Sequence, residues 1–396
     1  MTHKLECFNP LLFSSGLADV ADAHVQEKLK ELHPVIGDMP SVDAVKLLLP
    51  DVEGYDGSVA PLPPGPATGC SFLAPSGAPP ESWHAANIYL DVVRSTPANK
   101  GVGPSQVSYK YLQDYLHDDA ADAARFVNFW KMLDYIMCNR VRKEATRRLL
   151  LDSRGVALRK GDKGVRPLAV GEVLMRSLLQ AVARMFLTAH GPANPAACVV
   201  PECELGIGRA GGAEAAAHAV RAFITAHPST GLVLNTDFKN AFGCVSRHLI
   251  RLVARKFPML KHVVEFAYSG SSTVTFSRDD TTVAVESSTG VRQGDPIAGI
   301  LFSLVMKGVL AVVRSEFPDV RIVNFYDDCN LLGTDVEKLQ HAFNRLTEVA
   351  ALAGLQMQPA KCVLYDRHGS HKVTAEAMGV MHTSTGIVVC GAPIGT

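Results

Sequence analysis

The chain has 396 residues, 47% hydrophobic and 20% charged, a mix that excludes an intrinsically disordered protein. With 39 basic and 39 acidic residues its formal net charge is zero, which excludes a histone-like polycation. The length predicts roughly two or three structural units with ample chain to bury a core.

The neutrality is uneven along the chain. Residues 1–139 carry 9 Lys/Arg against 17 Asp/Glu, a net of −8, and residues 140–184 carry 12 against 4, a net of +8. A local basic surface suffices for phosphate contacts, because counterion release depends on local charge. No stretch reaches the roughly 18 uncharged apolar residues of a membrane span. Ile300–Val313 comes nearest and is broken by Lys307. No basic-then-apolar leader opens the chain. The nine cysteines are scattered without C-x-x-C spacing, which argues against a zinc module and fits reduced thiols. A soluble intracellular protein of the nucleus or cytoplasm, without a membrane partner, is expected.

In chain order, residues 1–53 read as a helical extension, with patterned runs at Asp19–Leu32 and Val42–Leu49. Residues 54–82 hold 7 of the 23 prolines and read as a linker. Residues 106–150 read as helices that end in a basic run, Arg140 to Arg148. Leu151–Val170 reads as strand, turn, strand, with the turn at Lys160–Gly164. Glu172–His190 is a helix, and a Gly-rich block, Gly206–Gly212, precedes an Ala-rich helix to about His227. The apolar strand Gly231–Asn235 leads into Asp237. Thr273–Phe276 and Val283–Val285 form a hairpin. Asp295, followed by Pro296, is the expected N-cap of the next helix. Val320–Phe325 and Cys329–Leu332 are strands around a tight turn. Leu339, Phe343, Leu346 and Ala350 line one helix face.

Three Asp-Asp pairs occur, at 118–119, 279–280 and 327–328. The first suits a solvated helix face and the second a hairpin turn. The third is held between apolar strands, where unpaired charge is costly and a divalent cation is a natural partner. Asp237 also stands at a strand end. A lone Asp there is more often a helix cap than a ligand. Together with the Asp327-Asp328 turn, it offers three carboxylates for two Mg²⁺ ions, which would stabilise attacking and leaving oxygens in phosphoryl transfer.

These residues carry a family resemblance. Asp237-Phe238-Lys239-Asn240-Ala241-Phe242 resembles motif A of reverse transcriptases. Gly290-Val291-Arg292-Gln293-Gly294-Asp295-Pro296 resembles motif B, and Phe325-Tyr326-Asp327-Asp328 is similar to the F/Y-x-D-D of motif C. Gly354-Leu355-Gln356 with Pro359-Ala360-Lys361-Cys362 resembles motif D. Residues 386–395 resemble the start of motif E. Arg166-Pro167-Leu168-Ala169 resembles the fingers R-P-I motif. Leu205-Gly206-Ile207-Gly208 and Gly211-Gly212-Ala213-Glu214 resemble a block of non-LTR (LINE-type) retrotransposon polymerases, and Gly103-Pro104-Ser105 is similar to their N-terminal region. The matches run in order over about residues 100–396.

The resemblance implies an α+β, right-hand fold of palm and fingers, with an antiparallel palm sheet, packed helices and a helical N-terminal extension. It places N-terminal helices and fingers at 83–228 and the palm at 229–396. It implies a nucleotidyltransferase, an RNA-directed DNA polymerase, with an RNA template, a DNA or RNA primer and dNTPs as partners. Two Mg²⁺ ions, or Mn²⁺ as a substitute, would be held by Asp237, Asp327, Asp328 and the backbone carbonyl of Phe238. Arg166, helped by Lys160 and Lys163, would grip the triphosphate. Phe242 would exclude a ribose 2′-hydroxyl. Gln293 and Gly294 would lie beside the nascent base pair, and Lys361 would protonate the leaving pyrophosphate. The chain is also expected to lack a preceding endonuclease and to stop near the start of the thumb. Two residues depart from the pattern. Tyr326 fills a position where smaller side chains are common, and its ring is expected to press on the primer end. Glu204 replaces a usual Gln and is expected to repel a template phosphate. The alternatives are a catalytically inactive nucleic-acid-binding relic and an RNA-templated RNA polymerase. A small polar residue at position 242 would suggest the latter, and Phe242 does not.

Overall fold

The computed structural model describes residues 17–31, 39–52, 55–63, 84–116, 123–141, 143–160 and 164–395. Lys163, Asp118 and Asp119 lie outside the described residues, as do residues 54 and 64–82 of the expected linker.

Fourteen helices are described: α1 (Ala23–Glu31), α2 (Val42–Leu48), α3 (His84–Ser95), α4 (Tyr109–Tyr115), α5 (Ala123–Met137), α6 (Glu144–Leu151), α7 (Val173–His190), α8 (Gly212–Ala226), α9 (Ala241–Cys244), α10 (Arg247–Arg255), α11 (Pro258–Tyr268), α12 (Ala298–Glu316), α13 (Val336–Leu352) and α14 (Lys372–Ala377). The strands are β1 (Ser153–Lys160), β2 (Gly164–Gly171), β3 (Leu232–Thr236), β4 (Phe238–Lys239), β5 (Ser272–Arg278), β6 (Thr281–Ser287), β7 (Arg321–Phe325), β8 (Asp328–Gly333), β9 (Gln356–Met357), β10 (Val363–Asp366), β11 (Met381–Thr383), β12 (Gly386–Val389) and β13 (Ala392–Gly395). The mix is α+β, with mainly antiparallel sheets.

The chain forms two compact units and passes between them repeatedly. The first takes the described residues within 1–37, 59–188 and 254–298. Its sheet has the order β2-β1-β5-β6, in which both hairpins are antiparallel and β1 meets β5 in parallel. Strand alternation puts Ala157, Val165, Ala169, Val274, Phe276 and Val285 on one face, where they share a core with Ala18, Val20 and Leu29 of the α1 region. The segment Gly103–Ser105 is stitched to the start of α7. Ser105 donates from its backbone N–H (2.7 Å) and its hydroxyl (2.5 Å) to the Glu172 carboxylate.

The second unit takes the described residues within 38–58, 189–253 and 299–396. Its five-stranded sheet has the order β11-β10-β3-β8-β7, antiparallel except for β10–β11. The small-residue face of α8 (Ala216, Ala217, Val220) packs over Val233, Val323, Leu332 and Tyr365, and the β12–β13 hairpin closes that core with Ile387, Val389 and Ile394. The two-residue turn of this hairpin is Cys390-Gly391, both with positive φ, as a type I′ turn requires. Asp335 caps α13 by accepting from the N–H groups of Glu337 and Lys338. The predicted face of α13, Leu339, Phe343, Leu346 and Ala350, is buried. Among the described residues, α12 is the one helix long and apolar enough to cross a membrane, and 72% of its apolar window is buried inside the protein.

One expected cap is corrected. Helix α12 begins at Ala298, three residues after Asp295. The Asp295 carboxylate does accept from the Ile297 N–H, but its other oxygen serves Tyr268 and Arg292.

Candidate active site

The second unit brings the motif carboxylates together through strand register. In β3 the run Leu232-Val233-Leu234 is fully buried and places Asp237 just past the strand end. Strand β8 runs antiparallel beside it, with Thr236 opposite Cys329 as the last pair. Strands β7 and β8 form a hairpin closed by the pair Phe325–Asp328, so Tyr326-Asp327 is its two-residue loop. Asp237, Asp327 and Asp328 therefore stand at one end of adjacent strands. Polar rungs hold this end in register. Thr236 donates to the Cys329 carbonyl (2.9 Å), and Asn235 donates to Asn330 (3.0 Å).

The segment after α13 braces Asp237 from the other side. Gly354, at φ +81°, approaches the Cys244 carbonyl so closely that a Cβ would stand 2.7 Å from it. The chain then pairs Phe238 with Met357 and donates from Gln358 N–H to the Asp237 carbonyl (2.9 Å). The turn at Pro359–Lys361 carries the Lys361 ammonium to 3.8 Å from Asp237 Oδ2. That oxygen is buried and accepts no hydrogen bond. A buried anionic oxygen in this state suits a hard cation. Among the described residues, no group of three or more His, Cys, Asp and Glu side chains is placed to hold an ion by itself. An ion here would draw on backbone and substrate oxygens as well, which is the ordinary habit of Mg²⁺.

An aromatic group lies beside the carboxylates. The half-buried Phe242 ring stacks on Phe302, centroids 4.7 Å apart and planes 9° apart, and Tyr326 lies against it at 6.0 Å. Tyr326 itself is half-buried. Its ring is packed in a slot of the second unit's own chain, and a Cβ added at Gly206 or Gly299 would stand 2.7 or 2.8 Å from it.

The expected repulsion of a template phosphate by Glu204 is corrected. It is 1% exposed and is turned into the protein. Its carboxylate accepts from the N–H groups of Gly206 (2.7 Å) and Tyr326 (3.2 Å) and from the Asn324 amide (2.5 Å). Burial pushes its carboxyl above the usual range, opposed by the Gly206, Tyr326 and Asn324 donors.

The first unit holds the remaining candidates. Arg166 and Lys160 lie on the face of β1 and β2 opposite the core face, Arg166 half-exposed and Lys160 exposed. Among the described residues, Arg166 has no hydrogen-bond or ion-pair partner. Gln293 and Gly294 sit in the turn before α12, which the Ala169 N–H joins by donating to the Gln293 carbonyl (2.7 Å). Gly294, at φ +109°, leaves no room for a Cβ, which would stand 2.6 Å from the Ala169 carbonyl. The Gln293 side-chain oxygen is buried and accepts no hydrogen bond. A buried network fixes this turn. Arg292 donates to Ser272 (2.9 Å) and pairs with Asp295 (3.2 Å), Tyr268 donates to the same carboxylate (2.5 Å), and the guanidinium lies 4.7 Å over the Tyr268 ring. Tyr268, Asn324 and Phe302 were not singled out as candidates by motif. Asn324 alone carried a signal, a polar residue inside the apolar run Ile322–Phe325.

Residues 158–381 match a family model described as Reverse transcriptase (RNA-dependent DNA polymerase). The chain is 30% identical over 135 residues to the Retrovirus-related Pol polyprotein from type-1 retrotransposable element R2 of Nasonia vitripennis, covering 32% of this chain and 13% of that protein. It is 27% identical over 150 residues to the Retrovirus-related Pol polyprotein from type-2 retrotransposable element R2DM of Drosophila melanogaster, covering 35% of this chain and 14% of that protein. The matched region thus spans about a seventh of each relative's length. Among solved structures, telomerase from Candida albicans with a fragment of telomeric RNA aligns over 64% of this chain and 46% of its own, at 12% identity and a TM-score of 0.43.

Proposed function

We propose, since the chain belongs to the reverse transcriptase (RNA-dependent DNA polymerase) family, that it copies an RNA template into DNA for a non-LTR retroelement. The observation that carries this reading is the placement of Asp237 beside the Asp327-Asp328 turn, with a buried Asp237 oxygen that lacks a hydrogen-bond donor. The names of the two R2 relatives support the retroelement context. In this reading residues 83–228 supply the N-terminal helices and fingers and residues 229–396 the palm.

The reaction joins a primer 3′-oxygen to the α-phosphorus of a dNTP, breaks the bond to the bridging oxygen and releases pyrophosphate and a proton. Divalent cations, when bound, neutralise charge on the phosphates. Asp237 and Asp327 would hold them, with Asp328 and the Phe238 carbonyl alongside. Phe242 closes the space a 2′-hydroxyl needs, and its stack on Phe302 supports a fixed wall. Arg166, with an uncommitted guanidinium, grips phosphate oxygens in pairs. Lys160 adds charge on the same hairpin, and Lys163 follows it in the sequence. Gln293 and Gly294 offer the base pair a closely approachable backbone. Lys361, close to Asp237, delivers a proton to the leaving pyrophosphate. A rival reading is an inactive nucleic-acid-binding relic; Tyr326 and Glu204, two of the departures behind it, are packed around the carboxylate turn.

Primer extension on poly(rA)/oligo(dT), with Mg²⁺ or Mn²⁺, tests the proposal. Metal-dependent DNA synthesis on the RNA template is expected. Absence of synthesis with both ions would contradict it.

A further inference from the structure

We infer that Glu204 is a positioning residue, which with Asn324 clamps the Tyr326-Asp327 loop and so sets where the carboxylates stand. Its catalytic consequence rests on the polymerase reading; the clamp itself does not.

The loop needs a clamp because Tyr326 adopts φ +56°, a conformation that bulky L-residues rarely hold. Three sets of contacts meet at this loop. First, the backbone of the Glu204 segment pairs with β7. Asn324 N–H donates to the Cys203 carbonyl and Leu205 N–H to the Asn324 carbonyl, each at 2.8 Å. Second, the Glu204 carboxylate accepts from the Tyr326 N–H, while the Asn324 amide donates both to Glu204 (2.5 Å) and to the Tyr326 carbonyl (2.9 Å). Both peptide groups of Tyr326 are therefore held. Third, Gly206 and Gly299 leave space for the Tyr326 ring that no side chain at either position would allow.

The chemistry demands a carboxylate at position 204. Both of its oxygens face donors, and an ionised carboxylate is an acceptor only. Glutamine would keep one acceptor and turn an NH₂ toward the Asn324 NH₂. Asn324 would have to flip, which sets its oxygen against the Tyr326 carbonyl and removes that bond. Glu204→Gln, a small change by shape, should thus release the loop.

The test uses the full chain with Glu204→Gln. Hydrogen exchange is read by peptide, beside the melting temperature and the steady-state kcat and KM for dNTP. Exchange should quicken by about tenfold or more over residues 324–328 and stay unchanged outside these and residues 204–206, whose Gly206 N–H the same carboxylate holds. The melting temperature should stay close to that of the parent. kcat should fall by roughly 10- to 100-fold, as for misplaced catalytic groups, with KM for dNTP within about twofold. Unchanged exchange at 324–328 would overturn the clamp. So would exchange that rises throughout the sheet with a lost melting temperature, or a rise in KM that accounts for the loss of activity. If the parent chain extends no primer, the polymerase reading fails while the exchange measurement still decides the clamp. Asn324→Ala, which removes the other half, is read in the same way should Glu204→Gln yield no folded protein.

Discussion

A bulky residue held in the left-handed region costs on the order of 1–3 kcal/mol, and Tyr326 carries that strain one residue before Asp327. The surrounding contacts offset it: two peptide hydrogen bonds, a slot between two glycines and a ring against Phe242. Phe242 in turn is fixed by its stack on Phe302. Removing the Phe242 ring should open the space it closes, so Phe242→Ala should accept rNTPs at least about tenfold better relative to dNTPs. Competing incorporation of the two nucleotides checks this, and an unchanged ratio would remove the gate role. Single residues were unequally legible. Asp237 and the Asp327-Asp328 pair stood out because carboxylates interrupt apolar strands. The burial of Glu204 was not legible, since a polar residue just before a Gly-rich block has no periodicity to reveal which way it faces.

At the scale of elements, the hairpins and helix faces were legible because period and turn chemistry are local. The β1–β2 and β7–β8 hairpins stand where alternation and turn residues predict them. Strand order was not legible. That β10 lies beside β3 depends on contacts more than a hundred residues apart. The end of β10 shows what such contacts hold. Asp366, 3% exposed, accepts from the N–H groups of His368 (3.0 Å) and His371 (2.8 Å) and from the His371 ring (2.9 Å), with His382 3.9 Å away. Burial alone would raise its carboxyl; the donors outweigh this and hold it below the usual carboxylate range. A depressed acid stabilises the fold above its unfolded value, near 3.9, and loses that contribution as pH falls through its folded value. Asp366→Asn should therefore cost about 1–3 kcal/mol at pH 7, and the gap should narrow below pH ~3.9. Urea unfolding at several pH values measures it. A gap independent of pH would show that the carboxylate charge is not what these donors stabilise.

For the whole molecule, charge along the chain differs from charge at the surface. Part of the +8 block at residues 140–184 is committed to internal bonds in the first unit. Arg147 donates to the carbonyls of Phe266 and Ser271, Arg154 to that of Val102, and Arg176 to that of Gly101. Arg159, Arg166 and Lys160 remain at least partly exposed and carry the case for phosphate contact. Linear charge counts could not separate these two groups, because an arginine that anchors a carbonyl and one that meets solvent contribute the same +1. The chain's repeated passage between units was equally hidden, since sequence order does not give spatial order. The central claim is that the carboxylates at the end of β3 and in the β7–β8 turn perform nucleotidyl transfer. Its most direct test compares primer extension on an RNA template by the parent chain and by Asp327→Asn, with unfolding curves for both. Equal folding is expected, with a loss of roughly 100- to 1000-fold or more in rate for the variant, the scale of losing a charge-stabilising group. Equal rates in the two folded proteins would contradict it.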